Sequence, residues 1–176
     1  SDVCSSDLLG SMFAYIAASP FIFQSFYGLS AFIFSLCFGA NGAALVIGAN
    51  VGGKLPNRQA LAIGVLAFVV AALYTIAVLI IQPYWLFIEI GFFAMLLLMG
   101  ITFPAISSLA MESERQYAGS ASALLGFAPF FLGGVVSPLV GIGNIFYSTS
   151  FVILICALLA LSIYWMIRHK IPTSAE

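Results

Sequence analysis

The sequence predicts an all-α membrane protein, a bundle of six transmembrane helices. Three observations predict it. Apolar residues dominate to a degree that leaves no polar surface for water. They fall into six stretches of membrane-spanning length. The Lys and Arg residues fall only on alternate connections or after the last stretch.

Of 176 residues, 63% are hydrophobic and only 6% are charged, and the mean hydropathy is +1.18. A soluble domain carries about 25% charged residues. A globule of this composition could not cover itself with polar groups, so the solvent for most of the chain is lipid. The net charge of −1 gives no electrostatic basis for nucleic acid as a partner.

A transmembrane helix needs about 20 apolar residues. Spans are expected at 8–23, 30–52, 60–82, 84–108, 117–142 and 146–167. The first is the weakest, because the Ser19-Pro20 pair interrupts it early. Part of that helix is expected to be missing. Residues 1–7 are polar and carry no positive charge, unlike a signal peptide, and are expected to be a non-native or disordered start. The fifth span contains Pro129 and Pro138, which bundles tolerate when neighbours satisfy the freed carbonyls. Residues 169–176 read as a polar tail following the six-helix domain, 8–168.

Charge sets the orientation. Lys54 and Arg58 lie between spans two and three, Arg115 between four and five, and Arg168 and Lys170 after six. The connections around 24–29, 82–84 and 141–147 contain no Lys or Arg. Positive charge stays cytoplasmic, so both termini are expected in the cytoplasm. Aromatic pairs mark the same borders. Tyr84 and Trp85 open span four, and Tyr164 and Trp165 close span six, where rings with a polar tip suit the headgroup level.

Spans three and six are apolar nearly all round, which suits helices facing lipid over much of their surface. Spans two, four and five carry small or polar residues. In span five, Gly119, Ser122, Gly126, Pro129, Gly133 and Ser137 recur every three or four residues and so form one stripe. In span two, Asn41, Ala44, Gly48 and Gly52 form a similar row ending in G-x-x-x-G. Small residues let helices approach closely. Two readings fit these rows: packing within the bundle, or packing against another domain.

Asn41 lies mid-span, where an amide needs a partner on a neighbouring helix or a polar cavity. Asn50, near the end of the span, reads as solvated or capping. Glu89 is the acid placed inside a span, one turn beyond Trp85 and so about 6–9 Å deep by helix rise. It reads either as an ion or proton site or as an edge carboxylate reaching water. Glu112, Glu114 and Arg115 read as a solvated turn with a local ion pair. His169, between Arg168 and Lys170, reads as part of a basic tail near anionic headgroups.

Enzyme chemistry finds no footing. No His or Lys lies within a span to act as a base beside a serine, and no phosphate-binding or dinucleotide glycine pattern appears, so no cofactor is expected. The three cysteines, Cys4, Cys37 and Cys156, show no C-x-x-C spacing, and no metal site is expected. Cys37 and Cys156 read as small core hydrophobes.

Four strings occur in order: Ala17-Ala-Ser-Pro-Phe-Ile-Phe-Gln24, Tyr27-Gly28-Leu29-Ser30, Phe38-Gly39-Ala40-Asn41-Gly42 and Ala118-Gly-Ser-Ala-Ser-Ala-Leu-Leu-Gly126. Over roughly residues 12–168 this resembles the C-terminal half of Bcr/CflA-type multidrug efflux transporters of the major facilitator superfamily. The resemblance implies helices seven to twelve of a twelve-helix fold, arranged as two inverted three-helix repeats. It implies proton-coupled export of drugs or small amphipathic metabolites by alternating access. Spans one, two, four and five would face the N-terminal six-helix half and the cavity, with three and six outside. Two features depart from the pattern: Ala105 follows Pro104 where the family often has asparagine, and Gly53–Arg58 is a thin version of the basic loop expected there.

The implied partners are that N-terminal half, lipid, protons and a small-molecule substrate. The expected cavity residues are Phe13, Tyr15, Asn41, Glu89, Gly100 and Phe103. Asn41 and Tyr15 would hydrogen-bond, Glu89 would attract cations, and the phenylalanines would stack. Gly48, Gly52 and the span-five stripe would pack against the other half. The alternative function is a six-helix scaffold or assembly protein without transport.

Overall fold

The computed structural model describes residues 2–113 and 143–167, together with single positions at 127, 131, 134, 135, 138 and 141. Helix α1 (Asp2–Pro20) continues into a π-helical turn (Phe21–Phe26). It is followed by α2 (Ala31–Gly52), α3 (Asn57–Ile81), α4 (Trp85–Ser113) and α5 (Ile145–Ile167). Five helices among the described residues are long and apolar enough to cross a membrane. They match predicted spans one to four and six to within a few residues at each end. Of span five, Phe127, Phe131, Gly134, Val135 and Pro138 are described and helical. Residues 2–7, expected as a start outside the fold, are a continuous part of α1.

Local chemistry explains the ends. Ser30 caps α2, its hydroxyl accepting from the Ile33 amide at 3.3 Å, as hydroxyls do at helix starts. Gln82 closes α3 in the left-handed conformation at φ 53°, its amide donating to the Val78 carbonyl at 2.9 Å. Pro83 then prevents the helix from continuing. In α1, Pro20 has no N–H for the Ile16 carbonyl. The Ser19 hydroxyl points to that same carbonyl at 3.5 Å, and the chain passes into the wider π turn beyond it. Hydroxyls elsewhere in the spans donate back to carbonyls of the preceding turn, as Thr75 does to Ala71 and Thr102 to Leu98, both at 2.8 Å. Such pairing satisfies polar groups that lipid cannot.

Helix α4 is the organising element, packing along α2 on one side and α3 on the other. Helix α5 packs along α1 and α3, and α1 touches α4 more lightly. Glycines permit the close crossings. A Cβ on Gly48 or Gly52 would collide with the carbonyls of Leu97 or Ile101 on α4. A Cβ on Gly100 would collide with the Leu45 carbonyl on α2. The row Cys37, Asn41, Ala44, Gly48 and Gly52 is the buried face of α2. This corrects the expectation that Gly48 and Gly52 pack against another domain: α4 of the same bundle fills their side. On the α3 side of α4, Gly64 meets Thr102 and Gly91 meets Thr75.

Burial does not divide the helices as the sequence suggests. Helices α3 and α5 expose one apolar face, with Ile63, Val70, Phe151 and Leu158 on it, and bury the other. The barest helix is α2, with 17% of its span buried against 44% for α3 and for α5. Phe32, Leu36, Val46 and Ile47 of α2 are all exposed, on faces an apolar partner or lipid must cover.

Candidate functional site

The polar side chains of α1, α2 and α4 converge on one place. The Asn41 amide (Nδ2) donates to the Tyr15 hydroxyl at 2.9 Å. Both residues are buried, Asn41 at 0% and Tyr15 at 2% exposed. Asn41 also lies beside the Glu89 carboxylate, which is in turn near Tyr15 and Cys37. Glu89 is only 8% exposed. Neither of its oxygens has a hydrogen-bond partner among the described residues, and the same holds for Asn41 Oδ1. The edge-carboxylate reading, with Glu89 reaching water, is therefore corrected. Its Cα is shallow by sequence distance from Trp85, but its side chain turns into the bundle.

Aromatic rings wall the cluster. Tyr15 stacks on Phe38 with centroids 5.7 Å apart, and tilts against Phe92 at 4.9 Å. Phe92 meets Phe23 of the π turn edge-on at 6.3 Å. Phe38 is 41% exposed, so a single ring separates Tyr15 from the open face of α2. Ser19, fully buried, lies beside the Tyr15 hydroxyl. A carboxylate with aromatic faces around it is the chemistry that receives an organic cation.

Of the six expected cavity residues, Tyr15, Asn41 and Glu89 come together here. Phe13 is half-buried and packs against the core on α1. Gly100 and Phe103 do not join the cluster. They line a separate cavity of about 380 Å³ toward the Lys54–Arg58 end, with Leu9, Met12, Leu45 and Met99. That cavity has no polar lining, and Gly100 also serves as the contact point with α2. The stripe Gly119, Ser122, Gly126, Pro129, Gly133 and Ser137 lies outside the described residues. Asn50 is exposed, and its amide donates to the Val46 carbonyl at 2.8 Å.

Sequence reasoning missed Phe92, Phe38, Ser19 and Cys37 as neighbours of the cluster. The signal was present for two of them. Cys37 is one turn before Asn41, and Phe92 is three residues after Glu89, so each shares a face with a residue already singled out. Among the described residues no group of three or more His, Cys, Asp or Glu could hold a metal ion.

The chain is 37% identical over 139 residues to the uncharacterized MFS-type transporter YdgK of Bacillus subtilis (strain 168). The alignment covers 77% of this chain and 35% of that protein. The match supports membership of the major facilitator superfamily. That superfamily is one of transporters and not of enzymes. No family model matches the chain, and no solved structure does. The chain spans about a third of the length of the relative that it matches. Five apolar helices and this relative together support a multi-pass integral membrane protein related to secondary transporters of the superfamily.

Proposed function

We propose that the chain is the C-terminal six-helix half of a proton-coupled exporter of the Bcr/CflA type. It would sit in a bacterial inner membrane with both termini in the cytoplasm, and move drugs or small amphipathic metabolites by alternating access. The observation that carries this reading is the Tyr15–Asn41–Glu89 cluster. It unites a buried, unpaired carboxylate, an amide and a phenol with aromatic walls, on three helices that the family resemblance turns toward the transport cavity. Acids inside membrane bundles mark ion or substrate paths. The bare face of α2 supports the reading as well, since an N-terminal half would cover it.

In this scheme Glu89 attracts the cationic part of a substrate, and Phe38 and Phe92 hold its apolar part. The test is export by the full-length transporter containing this chain, driven by an imposed pH gradient in proteoliposomes. Glu89→Gln keeps the shape and removes the charge. A lost charge-assisted contact is worth about 1.5–3 kcal/mol, so apparent affinity for a cationic dye should fall roughly 10- to 100-fold. A neutral substrate should be spared. Equal loss for both substrates at normal membrane level would assign Glu89 a structural role. Absence of any gradient-driven export by the parent would overturn the exporter reading.

A further inference from the structure

We propose that the apolar cavity between α1, α2 and α4 takes one acyl chain of an anionic phospholipid, whose phosphate is held by Lys54 with Arg58 alongside. The proposal is independent of the exporter reading and concerns the end of the bundle away from Glu89. The cavity, of about 380 Å³, is lined by Leu9 and Met12 of α1, Leu45 and Ala49 of α2, and Met99 and Phe103 of α4. No polar atom lines it. Ordered water needs two to four polar partners, so the fitting content is apolar. The volume falls in the ordinary ligand range of about 300–1,000 Å³. Methionines such as Met12 and Met99 adapt to an irregular apolar occupant.

Two contacts fix the level of the basic side chains. Gly52, the last residue of α2, lies against the Ile101 backbone of α4. Asn57, the first residue of α3, donates from Nδ2 to the Ser108 hydroxyl of α4 at 3.2 Å. The connection carrying Lys54 therefore crosses α4 between residues 101 and 108, the stretch that holds Phe103 and Pro104 of the cavity wall. Lys54 follows Ala49 by about 7 Å of helix rise, and a lysine lays its stem along apolar surface while its ammonium stays in water. Lys54 and Arg58 are exposed. Asp2 and Asp7 of α1 and Glu112 of α4 share that end of the bundle by position. Those acids repel an anionic headgroup from the termini of α1 and α4 and leave the α2–α3 connection as its place.

This arrangement selects the occupant. A free phosphate gains nothing from a wholly apolar wall, and a neutral lipid gains nothing from two bases. An anionic phospholipid carries both parts at the spacing the membrane imposes, with its tail in hydrocarbon and its phosphate at the interface. Positive residues on this connection place it at the cytoplasmic leaflet, where anionic lipids give the surface its negative potential. Seated there, the lipid braces α1 against α2 at the end opposite the Asn41–Tyr15 hydrogen bond.

The test uses the full-length protein containing this chain in phosphatidylcholine nanodiscs. Phosphatidylglycerol with a photoreactive diazirine in one acyl chain is added in trace amount, and the labelled residues are mapped by peptide mass spectrometry. Label is expected on α1 at Leu9–Met12 and on α4 at Met99–Phe103. Added phosphatidylglycerol should displace the probe, and added phosphatidylcholine should not. Lys54→Gln and Arg58→Gln should each weaken that displacement roughly 5-fold. Ala49→Phe, which fills the cavity from α2, should remove the label there and leave any label on exposed Ile63 and Val70 of α3 unchanged. The glutamine variants lie at exposed positions and keep the test valid if Ala49→Phe misfolds. Label confined to lipid-facing residues such as Ile63 and Val70 overturns the proposal, as does equal displacement by both lipids or a cavity label indifferent to the glutamine variants. Displacement by tetraphenylphosphonium in preference to phosphatidylglycerol also overturns it and gives the space to a transported substrate. Export plays no part in these readouts, so this proposal and the exporter reading fail separately.

Discussion

Asn41 on α2 donates a hydrogen bond of 2.9 Å to the Tyr15 hydroxyl on α1. It joins two helices that pack mainly on other neighbours, α2 along α4 and α1 along α5. The bond therefore ties the barest helix of the bundle to the first one, at the point where Glu89 of α4 also arrives. A hydrogen bond between helices in lipid is worth on average about 0.6 kcal/mol, with a maximum near 1.7. Tyr15→Phe and Asn41→Ala should each destabilise the bundle. A double-mutant cycle by detergent unfolding should return a coupling of about 0.5–2 kcal/mol. Additive single effects would show that the pair is adjacent without being coupled.

A second tie lies just before the start of α4. The Tyr27 hydroxyl donates to the Pro83 carbonyl at 2.6 Å, linking the α1–α2 turn to the α3–α4 turn. Desolvation raises the Tyr27 phenol above its ordinary value of 10.0. The folded state thus holds this proton more tightly than the unfolded chain does. Its contribution to stability is fully present below pH 10.0 and is lost as pH rises through the folded value. Tyr27→Phe should lower stability at neutral pH and flatten the alkaline fall in melting temperature. An unchanged alkaline limb in the variant would detach Tyr27 from that transition.

Helix positions were legible because runs of about 20 apolar residues have one meaning in a chain with so little charge. The residues that fix the ends in the structure, Ser30, Pro56 and Gln82-Pro83, were not read as boundary signals in the sequence. Neighbour identity was not legible. The spacing of Gly48 and Gly52 shows that something approaches closely, but a stripe defines a face and leaves its occupant open, so α4 could not be told from another domain. Gly64 and Gly91 went unnoticed because each is a lone glycine in an apolar run with no row to announce it. Glu89 shows the same limit in depth. Helix rise places its Cα about 6 Å beyond Trp85, while the direction of its side chain depends on the rotation of α4 against α2 and α3. Asn41 and Glu89 were singled out as polar groups in hydrocarbon, and Tyr15 only through the family resemblance. Asn41 and Tyr15 converge because a buried amide needs a partner.

Orientation can be tested apart from function. The connection holding Lys54 and Arg58 should face the cytoplasm, and Asn144, exposed before α5, should face outward. Single cysteines at Gln59 and Asn144, both exposed, should divide accordingly under an impermeant maleimide on intact cells. Labelling is expected at 144 and absent at 59. The converse pattern would invert the topology and put the Tyr27–Pro83 tie on the cytoplasmic side.

The crossing of α2 on α4 gives the sharpest packing prediction. Gly48 and Gly100 face one another across it: a Cβ on Gly100 would lie 3.1 Å from the Gly48 Cα. The atoms in the way are backbone, with the Leu97 carbonyl against Gly48 and the Leu45 carbonyl against Gly100. No rotamer change can relieve such a clash, so the helices must separate. Separation forfeits close packing along the whole contact, in a solvent where packing is the main force between helices. Gly48→Ala or Gly100→Ala should cost more than about 2 kcal/mol, seen as lower membrane level and easier detergent unfolding. Gly39 and Gly42 lie on the same helix with nothing within 4 Å of an added Cβ. There alanine should be neutral or stabilise by up to about 1 kcal/mol through helix propensity. The contrast controls for composition, since all four substitutions add the same methyl group to a helical glycine. Because the cluster around Glu89 is built on the same two helices, Gly48→Ala should also weaken the Asn41–Tyr15 coupling, whereas Gly42→Ala should leave it unchanged. Equal effects at all four glycines would show that the α2–α4 crossing is looser than the structure describes.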